Sequence, residues 1–175
     1  MDYFFNFEKL AYLKGERPEG CILCLVSAGD KNVVDLTIYN TRKFIVSLNL
    51  YPYNPGHILI FPRRHITDLR ALMHGEREEF DDILRLTLDV MDKELLPGGY
   101  NIGCNMGTVA GASIDHLHWH IIPRYPREIG IAELLAGRRV LVDNPLETQK
   151  RLVKAFIRVA QNCNHAGGSA PIAEG

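Results

Sequence analysis

Positive charge is the first thing this chain lacks: Lys and Arg total 20 against 21 for Asp and Glu among 175 residues. A surplus of cations is what grips a nucleic-acid backbone or an anionic membrane surface. Neither a nucleic-acid polymer nor a membrane is therefore expected as a partner, and any phosphate recognition has to be local. Long apolar runs are missing too. None approaches the length of a membrane span, and the start Met1-Asp-Tyr-Phe-Phe-Asn-Phe-Glu8 lacks the basic flank of a signal peptide. Cysteine is scarce, at four residues, too few for a disulfide framework at this size. The expected setting is a reducing cytoplasm. The 46% hydrophobic content is ordinary for one domain able to bury its own core.

The apolar pattern changes period along the chain. Residues 3–13, with Phe4, Phe5 and Phe7, suit a short helix or an aromatic arm. Three runs rich in β-branched and aromatic residues, 33–39, 43–50 and 57–61, read as strands, separated by Asn40-Thr-Arg42 and Tyr51-Pro-Tyr-Asn-Pro-Gly56. From His74 to Leu96 the period becomes helical, with Phe80, Ile83, Leu84, Leu88, Met91 and Leu95 on one face for about six turns. Pro97-Gly-Gly99 ends it. Strands are expected at 100–106 and 116–122, and beyond Pro126 a strand at 138–142 and a helix at 146–161. The expectation is an α+β fold: a five-stranded antiparallel sheet with one long helix packed across it, plus a C-terminal strand and helix. It would form a single domain over 1–161, with its core in 21–124, an extension in 125–161 and a flexible tail at 162–175.

The most unusual stretch is Ser113-Ile-Asp-His-Leu-His-Trp-His-Ile-Ile-Pro-Arg124. His116, His118 and His120 alternate with Leu117, Trp119 and Ile121, which puts three imidazoles on one side of a strand and an apolar row on the other. Charged, they would repel; buried without partners, they would carry a desolvation cost. A bound ligand or metal removes both objections. The stretch is entered through Gly103-Cys-Asn-Met-Gly-Thr-Val-Ala-Gly-Ala-Ser113, whose small residues let backbone N–H groups approach an anion. No Gly-Lys-Ser/Thr follows, so this is not a Walker loop, and alone it is a plain turn. Cys21-Ile-Leu-Cys24 offers metal binding, a redox dithiol or two ordinary buried cysteines.

Residues 113–124, with Asn49-Leu-Tyr-Pro-Tyr-Asn-Pro-Gly-His57, resemble the histidine triad (HIT) family of nucleotide hydrolases and transferases, nearest to its fragile-histidine-triad and diadenosine tetraphosphate phosphorylase branch. The resemblance spans residues 21–124. It implies a homodimer and cleavage at the α-phosphate of a small nucleotide such as a dinucleoside polyphosphate. It makes His118 the nucleophile, its other ring nitrogen held by the His116 carbonyl, and a nucleotidyl-histidine the intermediate. His120, Ser113, Asn105 and the loop around Gly111 would take the phosphates. Asn49 would take the ribose, and His57 would support the triad from behind. On residues alone, Asn49 reads as a turn-flanking amide and His57 as a core histidine. Family hydrolases often carry Gln where Ala112 stands, which leans towards phosphate rather than water as acceptor.

The resemblance also implies a structural zinc on Cys21, Cys24, His65 and His116, a closed set with no catalytic water. Mg²⁺ would arrive, if at all, with the substrate. Arg63, Arg64 and Arg124 read as surface charge, the acidic run from Glu76 to Asp82 as a solvated helix start, and Trp119 as packing. Cys104 and Cys163 have no expected role. Two rivals remain: an adenosine phosphoramidase, and a zinc-stabilised nucleotide-binding module without turnover.

Overall fold

The computed structural model describes residues 19–126 and 144–165, with side chains to residue 161. Helix α1 (Ile22–Ala28) precedes strands β1 (Thr37–Asn40), β2 (Phe44–Leu48) and β3 (Ile58–Pro62). Then come the long helix α2 (His74–Leu95), strands β4 (Gly99–Cys104) and β5 (Trp119–Arg124), and helix α3 (Pro145–His165). The strands form one antiparallel sheet in the order β1-β2-β3-β5-β4. The expected arm at 3–13, strand at 138–142 and last residues of the tail lie outside the described residues.

Every strand starts or stops within a few residues of expectation, and the larger shifts have local causes. β1 begins late because the Asp35 carboxylate accepts the Thr37 N–H at 2.8 Å, and a bulge follows between Thr37 and Tyr39. β5 begins at Trp119 rather than His116. Opposite it, Pro62 has no N–H to pair, and its carbonyl takes the His116 ring instead; Leu117 N–H turns to the Ile66 carbonyl at 2.6 Å. The helix α1, which carries the cysteine pair, was not foreseen.

Both faces of the central strands are covered. Phe44, Val46, Ile58, Ile60, Leu117 and Ile121 pack against Ile83, Val90 and Met91 of α2. Ile45, Leu59 and Phe61 point the other way, onto Leu23 and Val26 of α1. Trp119 sides with the helices, its ring 4.1 Å from that of Phe80. The histidines therefore share a face with α1.

Two charged groups read as surface are structural. Glu76 is 3% exposed; it accepts Met73 N–H at 2.8 Å and a two-point contact from Arg64 at 3.1 and 2.8 Å. The Arg64 contact, more than the backbone bond, holds its carboxyl below the ordinary range. The pair ties the start of α2 to the loop bearing His65.

The C-terminal helix expected at 146–161 is there as α3, and it packs against both α2 and β1. Asn144 caps α3, accepting Leu146 N–H at 3.1 Å, and Pro145 takes the first helical position, where no N–H is needed. Leu152, Ala155 and Phe156 are fully buried or nearly so, and Phe156 stacks on Tyr39 with centroids 5.3 Å apart. Helix α3 thus belongs to the core. Phe156→Ala is expected to cost about 3–5 kcal/mol, read as a lowered urea midpoint with an unchanged slope.

Candidate active site

Four histidines and their neighbours define the site, and the hydrogen bonds fix which ring nitrogen carries each proton. His118 Nδ1 lies 2.7 Å from the His116 carbonyl oxygen, which only accepts. The proton is therefore on Nδ1, and Nε2 presents a lone pair. His116 Nε2 lies 2.8 Å from the Pro62 carbonyl, so it donates there and leaves Nδ1 unprotonated. Both rings are buried, with 2% exposure each.

His57 and His120 form a second chain of the same kind. The Tyr53 backbone N–H points at His57 Nδ1 from 3.1 Å, so that nitrogen accepts. Asn49 adds a second donor: its Oδ1 accepts Tyr51 N–H at 3.0 Å, which turns Nδ2 towards His57 Nδ1 at 3.2 Å. The His57 proton is left on Nε2 and is donated to His120 Nδ1 at 3.0 Å. His120 must then carry its own proton on Nε2. Neighbouring rings, 4.9 Å apart, thus offer opposite functions: a lone pair on His118 and an N–H on His120.

This needs neutral rings, and at His57, His120 and His116 the surroundings favour them. Burial first, then the charges of His120 and His118, push His57 down to about 3. Burial and then His118 bring His120 down to about 4. His116 is lowered as well, mainly by burial.

The glycine loop is less open than expected. Ala110, Gly111 and Ala112 donate their N–H groups to the Thr108 and Gly107 carbonyls, closing the turn on itself. Gly111 sits at a φ of 89°, which suits glycine, and Asn105 Nδ2 reaches its carbonyl at 3.4 Å. Ser113 is exposed beside this turn. Asn49, expected on ribose, has both ends of its amide on Tyr51 and His57. The signal for Tyr53, whose N–H sets the His57 proton, was confined to a proline-glycine turn.

Behind the histidines, Cys21, Cys24, His65 and His116 bring their ligand atoms within 4.8 Å of one another. Cys21 Sγ and Cys24 Sγ lie 3.3 and 3.5 Å from His116 Nδ1, and Cys24 Sγ lies 3.3 Å from His65 Nδ1. Tetrahedral zinc with bonds of about 2.3 Å to sulfur and 2.0–2.1 Å to nitrogen separates such atoms by about 3.5 Å. His116 also has the outer support typical of a metal ligand, its far nitrogen donating to a carbonyl. The donor set fits zinc. Burial and the neighbouring Cys21 push the Cys24 thiol up to about 11. Among the described residues no other cluster of this kind occurs, and no helix is long and apolar enough to cross a membrane.

The HIT domain family model matches residues 30–127, more than half of the chain. The chain belongs to the HIT family. It is similar to the AP-4-A phosphorylase of Mycobacterium tuberculosis, at 34% identity over 63% of this chain and 57% of that protein. The chain thus spans little more than half of that relative's length. The adenosine 5'-monophosphoramidase of Schizosaccharomyces pombe is 34% identical over 63% of this chain and 79% of its own. Among solved structures, a zinc-bound histidine triad family protein from Mycobacterium smegmatis superposes with a TM-score of 0.67 at 23% identity, covering 82% of this chain and 97% of that one. It shares the HIT fold.

The depressed His57 pKa makes stability depend on pH. Unfolded, the ring would bind a proton near 6.5; folded, only near 3. Between those values the unfolded state holds more protons, so stability falls as pH falls. The expected slope from this residue is about 1.4 kcal/mol per pH unit, measured by urea unfolding between pH 6.5 and 4 and weakened in His57→Gln.

Proposed function

We propose that this protein is a nucleotidyl hydrolase or transferase that cleaves a dinucleoside polyphosphate at its α-phosphate. The observation that carries the reading is the 2.7 Å bond from His118 Nδ1 to the His116 carbonyl, which frees Nε2 as a nucleophile. In the first step that lone pair attacks the α-phosphorus, a P–N bond forms, and the bond to the bridging oxygen breaks with the electron pair leaving on oxygen. The imidazole stays protonated at Nδ1, so the nucleotidyl-histidine carries its positive charge against a carbonyl. His120 Nε2–H, aligned by His57, steadies the charge on the phosphoryl oxygens, with Ser113 and Asn105 at the loop side. In the second step an oxygen of water or phosphate attacks phosphorus, the P–N bond breaks, and His118 regains its lone pair. Ala112 offers no amide at the position where family hydrolases often carry Gln, which favours phosphate as acceptor.

Cys21, Cys24, His65 and His116 would hold zinc, which when bound supplies a cross-link between α1, the loop after β3 and the approach to β5. Four protein ligands fill its shell, so no reacting water belongs to it. The unpaired thiols suit a reducing cytoplasm. Among the described residues β4 is the last strand of the sheet, and such an edge suits pairing of two chains into a homodimer, the assembly the resemblance implies.

Incubation with diadenosine tetraphosphate separates the acceptors: ADP formed only with added phosphate marks the phosphorylase, AMP and ATP without it the hydrolase. Release of AMP from adenosine 5'-phosphoramidate alone would favour the reading suggested by the Schizosaccharomyces pombe relative. His118→Asn is expected to lose at least about 10³-fold in turnover while still binding AMP; undiminished turnover would remove His118 from its role. Native mass spectrometry is expected to find one zinc per chain and two chains per particle. Metal-free chains with titratable thiols would sink the zinc, and single chains the dimer.

A further inference from the structure

Among the described residues, the aromatic side chain beside the candidate site histidines that remains open to a ligand is Tyr53. Trp119, adjacent to two of those histidines in sequence, is closed off on the other face of the sheet against Phe80 and Phe44. Tyr53 instead lies on the histidine side. Its ring stacks on His57 with centroids 5.3 Å apart and planes 20° from parallel, and its centroid is 6.3 Å from that of His120. One face is therefore covered by imidazole, yet the residue is 48% exposed, which leaves the opposite face to solvent.

The ring is also held in place. Its backbone N–H is bound to His57 Nδ1 at 3.1 Å. The next residue, Asn54, is buried and donates from Nδ2 to the Pro123 carbonyl at 2.6 Å. His57 N–H returns to the Asn54 carbonyl at 3.1 Å, and the Tyr125 hydroxyl donates to the Pro55 carbonyl at 3.0 Å. An exposed tyrosine on a loose loop would lose rotational freedom on meeting a ligand. One on a loop strapped to β5 and to the residue just after it loses less, and presents a flat, preorganised surface.

Position decides what it would meet. The rings run in the order His118, His120, Tyr53, with contacts of 4.9 and 6.3 Å. In the proposed reaction phosphorus would sit at His118, and the departing polyphosphate would pass the His120 N–H. We propose that Tyr53 is a stacking platform for the nucleobase on the departing half of a dinucleoside polyphosphate. The inference rests on the proposed function and adds a second recognition site to it. Such a platform selects substrates with a planar heteroaromatic group at both ends over mononucleotides, because base stacking on an aromatic ring tolerates any base. Its hydroxyl is not needed.

The test uses binding to the full chain carrying His118→Asn, which removes chemistry from the readout. Three probes are compared by calorimetry: diadenosine tetraphosphate, adenosine 5'-tetraphosphate, which lacks the second base, and AMP. Adding Tyr53→Leu, which keeps an apolar cover over His57, is expected to weaken diadenosine tetraphosphate about tenfold or more and leave the other two unchanged. Tyr53→Phe should restore the affinity. Equal weakening of all three would place the ring on the retained nucleotide or in the fold, and no weakening would remove it from binding; either result overturns the platform while leaving the reaction assignment standing. Failure of all three to bind the His118→Asn chain with Tyr53 intact would overturn the reaction assignment as well.

Discussion

His116 is the residue on which the site depends, because each of its polar atoms holds a different part of the molecule. Its carbonyl fixes the proton of His118, its Nε2 binds the Pro62 carbonyl at the end of β3, and its Nδ1 faces the two thiols. A displacement of this one residue would act at once on the His118 ring, the end of the β3 ladder and the cysteine cluster. That explains why it is buried and why the chain leaves regular strand geometry around it. The strand could not continue through 116–118 without giving up the Pro62 and Ile66 contacts.

The second dependency is on proton placement. A lone pair on one ring and an N–H on its neighbour would be interchangeable in water, where imidazole tautomers exchange freely. Here each choice is made by a backbone group that cannot change its own nature: a carbonyl for His118, the Tyr53 amide for the pair of His57 and His120. The low affinity of His57 and His120 for a second proton keeps the assignment of that pair intact at neutral pH. Burial is therefore not only a consequence of packing; it maintains the division of roles.

Much of this was legible in the chain. Alternation through residues 116–121 correctly separated the histidine face from the apolar one, since period two survives small irregularities in a strand. The helical period from His74 gave the helix to within one residue. What was not legible depends on partners distant in sequence. Glu76 looks like any acidic residue at a helix start until Arg64 is folded onto it. Cys21-x-x-Cys24 gave no hint of a helix, because seven residues are too few to show a period. The docking of α3 rests on Phe156 meeting Tyr39. Asn49 and Tyr53 act through one backbone amide and one side-chain amide whose directions no composition or spacing encodes.

Helix α3 also does something for the sheet as a whole. Gln149 Nε2 donates to the Thr37 carbonyl at 3.0 Å and reaches the Asp35 carbonyl at 3.4 Å, occupying acceptors at and just before the start of β1. The start of the β1 border is thereby occupied by a side chain, whereas among the described residues no strand lies beyond β4 at the other border. Strand addition along β1 would have to displace that contact. An assembly made through a single such border, by two copies facing each other, ends at a pair and cannot propagate into a fibre.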